Sequence, residues 1–373
     1  MQPSFCLKGS VEMKKSLKHL IFRVLGLFKN VIMFLPRFFY KIQTHKYVDE
    51  AFPVIDFTGL DHFPHKNSCI EWWYFTGILK TPSKKDPIGF HITFFRIRTL
   101  FDGRAMHVSI TDPNNDEFHN KALHMVLYPK CFDTQDTDHV ISIFKNNLFY
   151  DKKEDAFLLK ADMGEIKMDL KMGQGSLMPL GTNGVIDAAY LNSGSYYYSV
   201  PDLRTEGTLV FDGNPYDVSG MTWYDHQWGN FPLTNIAWQW FSLRLNEKNL
   251  YIMIFHFTDA GRDRCFGNIR CGAGAAEMTD IQIKPIEFFE LRNGRTCPIA
   301  WNLQMKIGEG VMIFHIKALV KNQFIQSVIT PSFWEGMCSA EGEVASDILL
   351  NEIRLIKGEK MHGSAYVEIT GLE

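Results

Sequence analysis

From Phe52 onward the chain is broken every few residues by polar turns, and little helical periodicity survives between them. Apolar and β-branched runs cover Glu71–Ile78, Gly89–Ile97, His107–Thr111, Val140–Phe144, Ala156–Ala161 and Lys167–Lys171. They continue at Tyr196–Val200, Gly207–Phe211, Ala237–Leu245, Leu250–Phe257, Ile281–Leu291, Trp301–Ile307, Met312–Val320 and Tyr366–Ile369. Turn-formers separate them, such as Thr81-Pro82-Ser83-Lys84-Lys85-Asp86-Pro87, Asp112-Pro113 and Asp212-Gly213. The polar stretch Asn246–Asn249 joins two runs as a hairpin. Many short strands at this spacing predict an all-β barrel or sandwich, and an antiparallel barrel can enclose a ligand. A chain of 373 residues exceeds one compact core. Two β domains are therefore expected, 48–232 and 233–373, with the break near Phe231–Asn235.

The first 47 residues differ in kind. Before Tyr47 stand Lys8, Lys14, Lys15, Lys18, Arg23, Lys29, Arg37, Lys41 and Lys46 against the single acid Glu12. Leu17–Leu35 is apolar, but Arg23 and Lys29 interrupt it, so it is not a clean membrane span. On a helical wheel the cations gather on one half and Leu17, Leu20, Val24, Leu27, Val31 and Phe34 on the other. That pattern predicts a basic amphipathic helix, ended by Pro36, lying in an anionic bilayer interface through residues 14–41. The expected location is cytoplasmic and peripheral to a membrane. A secretory signal or an anchor is the alternative, although no small-residue cleavage site follows.

Net charge is −3, so no global basic field points to nucleic acid. The seven cysteines form no CxxC pair and read as free thiols in a reducing compartment. No phosphate-binding or nucleophile-elbow signature occurs in a credible setting.

Two runs concentrate chemistry. One is Glu71-Trp72-Trp73-Tyr74-Phe75-Thr76-Gly77, the other Trp223-Tyr224-Asp225-His226-Gln227-Trp228-Gly229. They hold four of the eight tryptophans, each run with one acid among aromatics. Such groups suit a largely apolar cavity with a few placed polar atoms. On a strand, Glu71 and Trp73 share one face and Trp72 and Tyr74 the other. By the same rule His226 and Trp228 share a face, opposite Trp223 and Asp225.

With Asp61-His62-Phe63-Pro64-His65 before them, these runs resemble the AttH/CrtC family of lipocalin-like proteins. Arg96, Met106-His107 and Ile110-Thr111-Asp112 extend the resemblance. So do Ser195–Ser199, Leu203–Gly207, Phe333-Trp334-Glu335-Gly336 and Ala365–Gly371. The resemblance runs from about Phe52 to the C-terminus. It implies two lipocalin-like (calycin) antiparallel β-barrels side by side with a cleft between them. It also implies a long apolar ligand, because the family includes carotenoid 1,2-hydratases, hydratases of prenylated phenolics, pericyclases and lipid carriers.

Hydration of an unactivated alkene needs a proton donor, a dry site and electron-rich walls for a carbocation. His226 titrates near neutrality and is the expected donor, facing the ligand with Trp228. Asp225 is expected to orient His65 or His107 from behind. A buried Glu71 with a raised pKa is a second candidate acid. Trp72, Trp73, Tyr74, His107, Trp223, Trp228 and Tyr251 are the candidate ligand contacts, the rings stabilising a cation by about 0.5–2 kcal/mol each. One departure counts against simple hydration. Carotenoid hydratases are expected to carry a further acid on the strand after the central motif, and Leu250–His256 has none. An isomerase, a cyclase or a plain lipid carrier therefore stays open. So does a structural role: tryptophans plug barrel ends, and Glu71 or Asp225 can pair with Arg96 or Arg204. No cofactor is expected, and a metal at Asp61, His62 and His65 is less favoured than a hydrogen-bonded turn.

Overall fold

The computed structural model describes residues 61–65, 68–98, 102–127, 138–180, 184–188, 193–229, 236–245, 249–259, 262–272, 274–292, 294–327, 332–351 and 353–372. The amphipathic helix expected at 14–41 lies outside these. Among the described residues no helix is long and apolar enough to cross a membrane.

Two antiparallel sheets each curl into a barrel. The main path of the first runs from Glu117–Leu127 through Asp102–Asp112, Ile88–Arg98 and Ile70–Lys80, then crosses to Asn214–Gly229. It continues through Ser193–Phe211, Lys167–Gly173, Ala156–Asp162 and Asn146–Asp151 to His139–Ile143. These ten strands nearly close, and Arg104 donates to the Ser142 carbonyl (3.0 Å) across the gap. The second barrel closes fully with eight strands, because Gly310–Ala318 pairs with Phe333–Ser346. The first sheet ends at Gly229 and the second begins at Ile236.

Local chemistry explains the central hairpin. Asp212 (φ 52°) and Gly213 (φ 74°) both take positive φ, the two-residue turn that matches strand twist. The turn fixes the register of Ser193–Phe211 on Asn214–Gly229, with Phe211 opposite Asn214. The Asn214–Gly229 strand also pairs along its motif end with Ile70–Lys80, setting Trp73 opposite His226 and Tyr74 opposite Asp225.

Each barrel is filled by apolar side chains. Trp73, Phe75, Phe90, Phe94, Tyr224 and Leu209 belong to the first core. Phe241, Ile252, Trp301, Phe314, Trp334 and Val367 belong to the second. A third cluster lies between the barrels, where outward faces meet: Tyr74, Tyr197 and Trp223 against Trp240, Tyr251, Met253, Met337 and Tyr366. The central strands are thus buried on both faces, which is why they read as near-continuous apolar runs.

Gly207 is required where it stands. Its φ is +147°, and an added Cβ would lie 2.1 Å from the Asp169 carbonyl oxygen on the neighbouring strand. Gly207→Ala is expected to cost at least about 2 kcal/mol through strain and clash. A thermal unfolding midpoint equal to that of the native sequence would refute this.

Candidate active site

The motif strand divides its chemistry between two places. Tyr224, His226 and Trp228 point into the first barrel. Trp223 and Asp225 point toward the second.

Inside the first barrel, three strands bring Trp73, His226 and Tyr198 into one cross-strand row. The segment Asp61–His65 lies across the barrel mouth and is tied to that row. The Trp73 indole donates to the His62 carbonyl (2.8 Å), and His226 Nδ1 meets the Asp61 carbonyl (2.9 Å). The Tyr198 hydroxyl reaches both the Asp61 carbonyl (2.8 Å) and His62 Nδ1 (2.9 Å). Glu71 accepts from the His65 backbone N–H and from His65 Nδ1 (2.7 Å), and lies 3.1 Å from His226 Nε2. His65 in turn stacks on Trp228 at 3.9 Å and meets the Asp61 carboxylate at 3.2 Å. His226 is 0% exposed and Glu71 1%. Burial alone would raise the Glu71 pKa, but the hydrogen bonds and charges of His226 and His65 outweigh it and hold it low. Burial opposes the charge on His65, yet its bonds to Asp61 and Glu71 push its pKa up to about 9. Burial dominates at His226 and lowers its pKa.

The seam between the barrels carries a second polar system. Asp225 accepts from Trp223 Nε1 (2.6 Å), Ser199 Oγ (2.5 Å) and Tyr197 Oη (2.5 Å). Tyr197 in turn accepts from Trp240 Nε1 (2.8 Å) on the second barrel. Tyr74 donates to Glu335 (2.8 Å), and Arg244 donates to the Thr76 carbonyl (2.5 Å). Glu335 and Glu368 are direct cross-strand partners, so their carboxyls stand side by side. Burial raises Asp225 to about 7 despite its three donors. It raises Glu368 to about 7 as well, with the Asp225 charge adding to the effect and the Trp238 hydrogen bond opposing it. Burial, then the neighbouring Glu368 charge, pushes Glu335 well up. At one end the seam opens: Trp72, Trp238, Phe255, Phe266 and Glu368 all keep some exposure. Phe255 and Phe266 stack there at 5.7 Å.

Residues 55–372 match the AttH-like family. The chain belongs to that family. Among curated proteins, this AttH-like chain is similar to kievitone hydratase of Fusarium solani subsp. phaseoli, 22% identical over 40% of the chain and 45% of the hydratase. It is also similar to dehydratase asqC of Emericella nidulans, 26% identical over 35% of the chain and 40% of that protein. The chain thus spans under half the length of these relatives. Among solved structures, an AttH assignment from Nitrosomonas europaea superposes with TM-score 0.69 at 23% identity, over 87% of this chain and all of that one. Kievitone hydratase from Nectria haematococca gives TM-score 0.67 at 18% identity, over 86% and 94%. Distant homologues of this AttH-like protein are therefore hydratases and dehydratases.

Several sequence expectations are corrected by this geometry. Asp225 orients neither His65 nor His107, because strand alternation turns it to the other side of the sheet. Its partners are Ser199, Tyr197 and Trp223. Glu71 does not have a raised pKa, since two imidazoles hold its charge. Arg96 pairs with Asp102 (3.0 Å), not with Glu71 or Asp225. His226 faces the first barrel, not the cleft between barrels. Of the residues named as ligand contacts, Trp73 and Trp228 lie with His226. Trp72, Tyr74, Trp223 and Tyr251 lie in the seam. His107 lies on the seam side too, 5.3 Å from Phe333 of the second barrel.

Glu335, Glu368, Tyr197 and Trp240 were missed as site residues. The signal for the two glutamates was a lone acid in an apolar run, as in Trp334-Glu335-Gly336 and Val367-Glu368-Ile369, the pattern that singled out Glu71.

Among the described residues two groups could hold a metal. One is His65, Glu71 and His226; the other is the more exposed Glu117, His119 and Asp212.

Tyr197→Phe should cost about 1–3 kcal/mol, because Asp225 loses a donor and the Trp240 indole loses its acceptor. Urea unfolding measures this, and an unchanged midpoint would remove the network from the forces joining the barrels.

Proposed function

We propose that the protein is a hydratase or dehydratase acting on a hydrophobic small molecule in the seam between the barrels, with Glu368 transferring the proton. The observation that carries this reading is the position of Glu368. It is a carboxyl with a pKa near 7, enclosed by protein, yet in contact with solvent at the open end of an aromatic seam. An acid or base works best when its pKa lies near the operating pH. In hydration, protonated Glu368 gives its proton to one alkene carbon. Water bonds to the other carbon, and its surplus proton returns to the carboxylate. Dehydration runs the same steps backward. Trp72, Trp238, Phe255 and Phe266 offer ring faces to developing positive charge. Burial first, with the Asp225 charge in addition, keeps Glu368 partly protonated near neutrality. The names of the distant relatives, a hydratase and a dehydratase, support the reaction class.

In this reading His226 and Glu71, on the other face of the same strands, secure the barrel mouth. The basic segment at 14–41 is proposed to hold the protein at an anionic membrane surface, where apolar substrate accumulates.

Glu368→Gln is expected to lower turnover by about 10²–10⁴-fold with substrate binding retained. A loss of binding equal to the loss of rate would favour a carrier instead. For hydration, the acid must be protonated, so the rate should fall as pH rises through about 7. Stability should follow the same sign. The Asp225 and Glu368 pKa values are raised on folding, so stability is full below the ordinary carboxylate range and is lost as pH rises through about 7. Asp225→Asn should flatten that decline in a pH series of unfolding midpoints, and an unaltered slope would contradict it. Deleting residues 1–46 should release the protein from anionic liposomes. Sedimentation identical to that of the full chain would rule out the surface role.

A further inference from the structure

The mouth of the first barrel gathers two imidazoles and a carboxylate at a spacing that could hold a metal ion. His65, His226 and Glu71 each bring one ligand atom there, all within 4.8 Å of one another. The Glu71 oxygen lies 2.7 Å from His65 Nδ1 and 3.1 Å from His226 Nε2. Ligands about 2.0–2.2 Å from a tetrahedral or octahedral ion stand roughly 3.0–3.5 Å apart, so the spacing is close to that of a coordination shell.

The far side of each ring is what turns this spacing into a site. His65 Nε2 faces the Asp61 carboxylate at 3.2 Å, and His226 Nδ1 faces the Asp61 backbone carbonyl at 2.9 Å. Both partners only accept, so both of those nitrogens carry hydrogen, and the Tyr198 hydroxyl, 3.2 Å from His226 Nδ1, can accept beside the Asp61 carbonyl. Glu71 accepts a hydrogen from His65 Nδ1, and a metal ion would displace that proton and take up the lone pair left on each inner nitrogen. Histidine ligands to metals bear this same arrangement, with the outer N–H given to a carboxylate or a backbone carbonyl.

We propose that His65 Nδ1, His226 Nε2 and the Glu71 carboxylate form a site for one divalent transition-metal ion of the zinc class. Two imidazoles and one carboxylate suit zinc, iron(II) or manganese better than calcium or magnesium. The ion would join strand residues Glu71 and His226 to the His65 segment, clamping that segment over the barrel mouth. The approach is from the side of His65 and Asp61, whose side chains are 22% and 57% exposed. This departs from the expectation of a protein without cofactors. It is independent of the seam chemistry, because Asp225 and Glu368 lie on the other side of the sheet.

Cobalt(II) and zinc are the probes. The full chain is stripped with chelator, then titrated with each ion by calorimetry, with cobalt(II) followed also by its ligand-field absorption. One equivalent is expected to bind, and zinc is expected to raise the thermal midpoint. His65→Ala, at the rim where folding is least at risk, should abolish the cobalt(II) spectrum. Asp61→Asn should weaken binding by about 10–100-fold, the usual effect of removing a group that orients a ligand. Glu117→Gln, at the exposed His119 group, should change neither. If the stripped native protein takes up neither ion in millimolar excess, the site is refuted. It is refuted equally if His65→Ala binds as the native chain does, or if Glu117→Gln removes the signal.

Discussion

The structure rests on a row of side chains crossing three paired strands whose two faces are both buried. Trp73, His226 and Tyr198 stand opposite one another, as do their neighbours Tyr74, Asp225 and Ser199. Because strand side chains alternate, each step along the row changes compartment. One compartment is the first barrel's interior, the other the seam with the second barrel. A one-residue slip would put His226 among the seam tyrosines and Asp225 among the first barrel's phenylalanines, each stripped of its partners. Register is therefore held by polar pairing on both faces at once, beyond what apolar patterning alone provides.

The two compartments handle charge differently. At the barrel mouth each acid has an imidazole beside it: Glu71 lies between His65 and His226, and Asp61 meets His65. The charges there compensate, and Glu71 stays ionised. In the seam, Asp225 feels the charge of Arg244, but that guanidinium bonds the Thr76 carbonyl, and the raised pKa values of Glu335 and Glu368 draw nothing from it. Burial lowers even that arginine to about 10. Carboxyls in a low-dielectric space without a paired cation hold their protons, and like charges in reach of one another strengthen the effect. The contrast separates a site built to stay charged from one poised to exchange protons near neutrality.

Much of this was legible in the sequence, and the illegible part has a physical reason. The strand runs, the Asp212-Gly213 turn and the division of Glu71 and Trp73 from Trp72 and Tyr74 follow from period-two alternation, which is local. The pairing of His226 with Trp228 on one face follows in the same way. Alternation does not say which face a ligand meets, because both faces of Asn214–Gly229 are apolar and aromatic. The identity of the Asp225 partners depended on which strand lies alongside, and Tyr197 and Ser199 come from a strand joined to it by a long hairpin. Glu335 and Glu368 stand more than a hundred residues beyond the motif, and only the closure of the second barrel brings them to the seam. The Glu71 pKa was misjudged for a related reason. Burial alone raises a carboxyl, and its reversal needed His65 and His226, one six residues away and the other on a distant strand.

The segment Asp61–His65 gives the clearest case of a motif whose residues serve backbone geometry and side-chain chemistry together. Its carbonyls at Asp61 and His62 satisfy His226, Tyr198 and the Trp73 indole, while its His65 side chain bridges Asp61 and Glu71. A peptide segment crossing a barrel mouth needs partners for its polar groups, since orphaned backbone groups are costly when buried. Aromatic donors and one histidine inside the barrel supply them. The polar groups of the first core are thus explained by what covers it, and the aromatic rings around them exclude water. Among the described residues the seam has no such cover at its open end, where Trp72, Trp238, Phe255 and Glu368 keep contact with solvent. Of the two places where the central motif concentrates its chemistry, one is covered by the segment Asp61–His65, and the other keeps contact with solvent at one end.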